Sequence, residues 1–152
     1  MAATTTDRET PFAGLYPAKG TFGMRSNTII RKGWLVGIDV NGRAIVGGTI
    51  ASGCLCGMGV ASSTVDNQTG SEAGGLDDST DIELEYGIHG FLILSADIQA
   101  DDVGKVAYVV DNQTVSSSSN TAARPPAGII HEVRDGMAWI QMGPQTRNLT
   151  VT

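Results

Sequence analysis

Two histidines, His89 and His131, and two cysteines, Cys54 and Cys56, are the side chains of this 152-residue sequence best suited to nucleophilic or metal chemistry. A serine or cysteine nucleophile needs an oriented base, most often histidine. The sequence holds no G-x-S-x-G elbow, no G-x-x-x-x-G-K-[ST] phosphate loop and no H-E-x-x-H. His131 falls inside a predicted strand, His89 follows Gly87-Ile88, and both read as ordinary hydrogen-bonded residues. Cys54 and Cys56 would share one face of a strand, but two thiolates fall short of a tetrahedral zinc site. A disulfide between them would be strained in an extended chain. They read as small buried fillers.

The acids Asp77, Asp78, Asp81, Glu83 and Glu85 raise the question of calcium, which takes about six to eight oxygens. The D-x-D-x-D-G spacing is missing. Asp81, Glu83 and Glu85 instead alternate with Ile82, Leu84 and Tyr86, which predicts a half-buried strand with an acidic outer face. A docking surface for a basic partner is the functional alternative. Acid–base catalysis by paired carboxylates would need one of them in an apolar pocket, and no such pocket is legible. The expectation is a protein that is not an enzyme and uses no cofactor and no metal.

One quartet occurs twice: Asp-Asn-Gln-Thr at 66–69 and again at 111–114. Asx residues turn the chain by hydrogen-bonding their own backbone. Asp111-Asn112 suits a tight hairpin between "VAYVV" and "QTVS", whereas the first copy leads into "GSEAGGLDDSTD". Turn chemistry is the reading for both, and the N-x-T triplets at Asn67, Asn112 and Asn148 are turn residues as well.

The elements around these residues are strands. From Thr28 onward, short apolar runs alternate with turn signals, the pattern of an all-β domain. "GWLVGIDV" and "RAIVGG" flank Asn41-Gly42, which predicts a two-residue hairpin, and "IIHEV" and "MAWIQM" flank Asp135-Gly136 in the same way. "CLCGMGVA", "DIELEYG", "HGFLIL" and "KVAYVV" supply further strands. "SADIQADDVGK" predicts one short helical turn, capped by Asp97 or Ser95 and ended at Gly104.

Charge divides the chain. The net charge of −6 splits into +3 over residues 1–32 and −9 over the rest, and between Ala44 and Gly104 ten acids stand with no Lys or Arg. Such a body repels nucleic acid, whose affinity rests on basic residues. No apolar run reaches the length of a membrane span, about 18 residues, and "MAATTTDRETPF" lacks the layout of a signal peptide. The expectation is a protein made in a cytoplasm, with no nucleic acid or membrane as partner.

Residues 1–27 read as an extended arm, broken by Pro11, Gly14, Pro17, Gly20 and Gly23. Phe12, Tyr16 and Phe22 are three of only eight aromatics in the chain, with Leu15 and Met24 beside them, so the arm has something to bury against. It either folds back on its own domain or lies on a neighbouring subunit; the second is the working expectation. Residues 28–143 form the β domain and 144–152 a C-terminal tail.

The order of "NTIIRKGWLVGIDVNGRAI", "GVASSTVDNQTG", "YGIHGFLIL", "ADDVGKVAYVVDNQTVSSSSN" and "AGIIHEVRDGMAWIQMG" resembles a family of decoration, or cement, proteins of tailed-bacteriophage capsids. The D-V-G-K-x-x-Y-x-x-D-x-Q-T-V pattern matches Asp102 to Val115, and "AGI…V…DG…W" matches Ala127 to Ile140. The resemblance covers about residues 28–143. It implies a small β-barrel or β-tulip domain, a homo-oligomer with a trimer favoured, and a place on the outer capsid surface of a virion assembled in the bacterial host cytoplasm. The partner it implies is the major capsid protein, which an arm carrying Phe12, Leu15, Tyr16, Phe22, Met24 and Arg25 would clasp. Removing residues 1–27 should then leave a folded oligomer. A tail or baseplate component and a small-ligand-binding barrel, or a hydrolase pairing a serine with His89 or His131, are the rival readings.

Overall fold

A computed structural model describes residues 2–11 and 18–149. Phe12, Leu15 and Tyr16 of the expected arm lie outside the described residues. Twelve strands follow one another among the described residues: β1 (Lys19–Gly23), β2 (Thr28–Ile30), β3 (Leu35–Ile38), β4 (Ala44–Val46), β5 (Cys56–Ala61), β6 (Val65–Asn67), β7 (Asp81–Glu85), β8 (Gly87–Ile93), β9 (Val106–Val109), β10 (Thr114–Ser116), β11 (Pro126–Arg134) and β12 (Met137–Met142). The protein is all-β, and among the described residues helical content is limited to short 3₁₀ turns.

Five strands close a barrel in the order β10-β8-β12-β11-β9. Every pair in it is antiparallel except β8 with β10. Its interior is filled by Phe91, Val109, Val115, Ile130 and Ile140, all essentially inaccessible. A second sheet runs β1-β7-β5-β3-β4, and its two edges nearly meet. Met24, one residue past β1, bridges Ala44 in β4, and the Arg25 N–H donates to the Ala44 carbonyl at 3.1 Å. Around this closure sits a second core of Met24, Ile30, Val36, Ile38, Met58, Ile82 and Leu84. β2 and β6 pair across its side.

β3 and β5 belong to both cores. Leu35 and Val60 point into the barrel cluster, whereas Val36, Ile38, Cys56 and Met58 point into the other. All of β5 is buried, as expected for a strand covered on both faces.

The sequence expectations for β7 and for the last hairpin agree with this fold. Ile82 and Leu84 are buried while Asp81 and Glu83 are exposed. Asp135 and Gly136 both take positive φ, 54° and 72°, as a two-residue turn demands. The first hairpin differs. Ile38 pairs with Ala44, and the Asp39 N–H bonds the Arg43 carbonyl, leaving a three-residue loop in which only Gly42 is left-handed. The Asp39 carboxylate causes this by accepting from the N–H groups of Asn41 and Arg43, both at 2.9 Å. Two 3₁₀ turns, Leu94–Ala96 and Ala100–Asp102, stand where one was expected; Ile93 and Gln99 are their N-caps, Ser95 lies inside the first turn, and Asp97 closes its C-terminal end through its N–H to the Leu94 carbonyl. The Asp97 carboxylate is occupied elsewhere, accepting from the Ser116 hydroxyl and the Ser117 N–H.

The expected boundary between an extended arm at 1–27 and the β domain is corrected at residues 19–24, which fold back on their own domain. Residues 19–23 are a strand of the second sheet, Met24 is wholly buried in that core and Phe22 packs against it. Inward positions 20, 22 and 24 do alternate, but a glycine holds the first, where a Cβ would overlap the Tyr86 hydroxyl; the alternation was therefore invisible to a hydrophobicity pattern. At the other end Pro144–Asn148 forms a 3₁₀ turn that buries Thr146 against β5 and β11, so the body extends past residue 143.

Candidate functional site

The catalytic candidates are dispersed. His89 is buried, with Nε2 3.2 Å from the Tyr86 carbonyl, and burial pushes its imidazole below the ordinary pKa. His131 is exposed, at a bulge of β11. Cys54 and Cys56 are free and buried, the first donating from Sγ to the Cys56 carbonyl at 3.7 Å. Burial raises both thiols to about 11, so neither is a thiolate near neutral pH. Among the described residues no group of three His, Cys, Asp or Glu is placed to hold a metal ion.

Two surface features do bring residues together. One is the track of residues 2–11 across the body. The Asn112 amide, itself buried, accepts from the Thr4 N–H at 3.0 Å and donates to the Thr4 carbonyl at 2.9 Å. Trp34 Nε1 donates to the Thr6 carbonyl at 2.8 Å, the Arg8 N–H to the Lys32 carbonyl at 2.9 Å, and the Gly90 N–H to the Pro11 carbonyl at 3.0 Å. The Arg8 guanidinium lies over the Phe91 ring, 6.0 Å from its centroid, and burial lowers its pKa.

Asn67, in the other Asp-Asn-Gln-Thr quartet, works in the same manner. Its amide donates to the carbonyls of Arg25 and Leu76 and accepts from the Gly75 N–H. In both quartets the Asp closes an Asx turn by accepting from the Gln N–H two residues on, at 2.9 Å. Each quartet thus couples a turn to an asparagine that holds a passing stretch of main chain. The turn was legible in the sequence; the clasp was missed, and the repeat was its one signal.

The second feature is an open cleft of about 460 Å³ beside the β3–β4 hairpin. Val40, 74% exposed, stands at the hairpin tip, and Ile50 and Leu55, 40% and 38% exposed, line the wall. Arg25, a half-buried residue of the expected arm, reaches this cleft and donates to the Ser52 carbonyl at 3.2 Å. Arg43 at the rim is held by Asp78 at 3.0 Å, a hydrogen bond that raises its pKa.

Exposed ion pairs tie the chain together, and one of them, Lys19 with Glu83, joins its basic start to its acidic middle. Lys19 pairs with Glu83, Arg31 with Asp7, Lys32 with Glu9 and Arg43 with Asp77 and Asp78. Such exposed pairs are screened by solvent and contribute little, so they fix register more than they stabilise. Compared with known protein families, characterised proteins and solved structures, the chain matches none.

Proposed function

We propose that this chain is a structural virion protein that binds the outer surface of a bacteriophage capsid and reinforces it by bridging major capsid protein subunits, as a homo-oligomer with a trimer favoured. The observation that supports this reading is where the decoration-protein resemblance falls in the fold. Asp102 to Val115 runs through β9 into β10, and Ala127 to Ile140 through β11 into β12, so its two most patterned stretches make one continuous wall of the barrel. Packed side chains fill the barrel lumen, which favours a role at the outer surface over a ligand held inside.

The shell-facing surface is the cleft at Val40, Ile50, Leu55 and Arg25, because it combines exposed aliphatic area at and beside the β3–β4 hairpin with the Arg25 cation. Apolar anchors beside a polar rim are how interfaces concentrate affinity. The test is cosedimentation of the purified protein with empty shells. Val40→Asp combined with Leu55→Asp should lower bound protein at least tenfold and leave the circular dichroism spectrum unchanged. Full binding by that variant would remove the cleft from the reading, and absence of binding by the unaltered protein would remove the reading itself.

A further inference from the structure

The groove that holds residues 2–11 grips main chain more than side chains. Asn112 engages both the N–H and the carbonyl of Thr4. Gln113 Nε2 donates to the Ala2 carbonyl at 2.6 Å. Trp34, Lys32 and Gly90 take the main-chain groups of Thr6, Arg8 and Pro11 in turn. The seat is shaped to its occupant: Gly33 has φ +84°, and a Cβ there would overlap the Arg8 carbonyl. Yet no residue of 2–11 is fully buried: Thr4, Arg8, Thr10 and Pro11 are half-buried and the rest exposed. The grip is therefore polar and shallow, and water can replace each bond on release at small net cost. The chain beyond is fixed differently, since β1 is laddered to β7 over its full length and Met24 is locked in the second core.

We propose that this groove is an exchange seat, and that its second occupant is the 2–11 segment of another copy of the chain. A neighbour's segment would meet identical partners in identical geometry, so exchange loses no contact; only tether entropy separates the two arrangements. Seven residue steps separate Pro11 from Ala18 and span at most about 25 Å. A tether this short gives the cis segment an effective concentration in the millimolar range. Copies held side by side reach the same range, and there the seat takes a neighbour's segment and links the copies in a chain of clasps. The inference rests on the seat alone and stands apart from the shell reading.

The test mixes two full-length chains, one carrying Ala2→Cys and the other Gln113→Cys, and adds a short bis-maleimide before denaturing electrophoresis. Both positions are at the surface, whereas the native Cys54 and Cys56 are buried. A mixed adduct that Thr4→Pro removes records a segment seated in trans, and one that survives it records collision alone. The expected result is a two-chain adduct whose share rises at least tenfold from micromolar to millimolar protein, and which falls at least fivefold when Thr4→Pro, a change confined to the segment, removes the N–H that Asn112 accepts. No mixed adduct at millimolar protein, or an equal amount with Thr4→Pro, would overturn the proposal. Neither result bears on cosedimentation with shells, so the two ideas fail separately.

Discussion

At the scale of single residues, two buried asparagines do what a larger apolar contact would otherwise do. Asn112 and Asn67 are 2% and 0% exposed, and each spends its amide on main chain that passes it. Asn112→Ala leaves both polar groups of Thr4 without their partner, which should cost about 1–2 kcal/mol and expose residues 2–11 to proteolysis; urea unfolding and limited trypsin digestion at Arg8 check this. Asn67→Ala should cost more, because it frees two carbonyls and an N–H at once. The sequence showed the turn because an Asx turn closes within two residues. It hid the clasp because Thr4 and Asn112 are 108 residues apart. The cysteines carry the residue-scale pH dependence. Burial lifts both thiols from the ordinary 9.0 to about 11, so between those values the unfolded chain has released protons that the folded chain keeps. The thiols' contribution is then full below pH 9 and is lost as pH rises toward 11. Cys54→Ala with Cys56→Ala should flatten that alkaline decline by on the order of 2 kcal/mol per thiol, seen in melting temperatures measured from pH 8 to 11.

At the scale of elements, glycine decides how closely strands approach and how well they can be read. Gly37 in β3 faces Cys54 and Cys56: a Cβ there would collide with the Cys54 sulfur and come within 2.6 Å of the Cys56 carbonyl. Gly37→Ala should therefore destabilise the protein by about 1–3 kcal/mol, and chemical denaturation should show a lower midpoint with an unchanged slope. An unchanged midpoint would mean that β3 and the 54–56 stretch have room to separate. The strands legible in the sequence, β3, β4, β5, β7, β8, β9, β11 and β12, carry full apolar side chains on at least one face. β1 was not legible, because a glycine at an inward position carries no hydrophobic signal. The Asn41-Gly42 loop was misread by one residue for a related reason: the pair marks a turn, but the carboxylate of Asp39 selects its type. Of the expected contact residues, Met24 proved to be core and Phe22 to pack against it; the surface cluster of Val40, Ile50 and Leu55 left no periodic trace, since exposed aliphatics outside a strand obey no period.

At the scale of the whole molecule, β3 and β5 make two cores mutually dependent. Each strand presents one face to the barrel cluster and the other to the cluster around Met24, so opening either core strips cover from the strands that wall the other. A chain lacking residues 1–27 accordingly loses β1 and Met24 and should collapse to a poorly folded state, whereas loss of residues 2–11 alone should leave both cores intact; thermal melts of the two truncations separate these outcomes. The same sharing predicts cooperativity. Trp139 lies in β12 of the barrel, and Trp34 adjoins β3, where its indole N–H meets the Thr6 carbonyl. With Trp34→Phe and Trp139→Phe made separately, each variant reports from one side of the shared strands. Once midpoints are referred to each variant's own circular dichroism transition, fluorescence and backbone signals should coincide in both, as a two-state unit requires. A barrel tryptophan that kept its native emission after the backbone signal of β3 and β5 had gone would show the barrel standing alone, with the second sheet as an accessory rather than half of one folding unit.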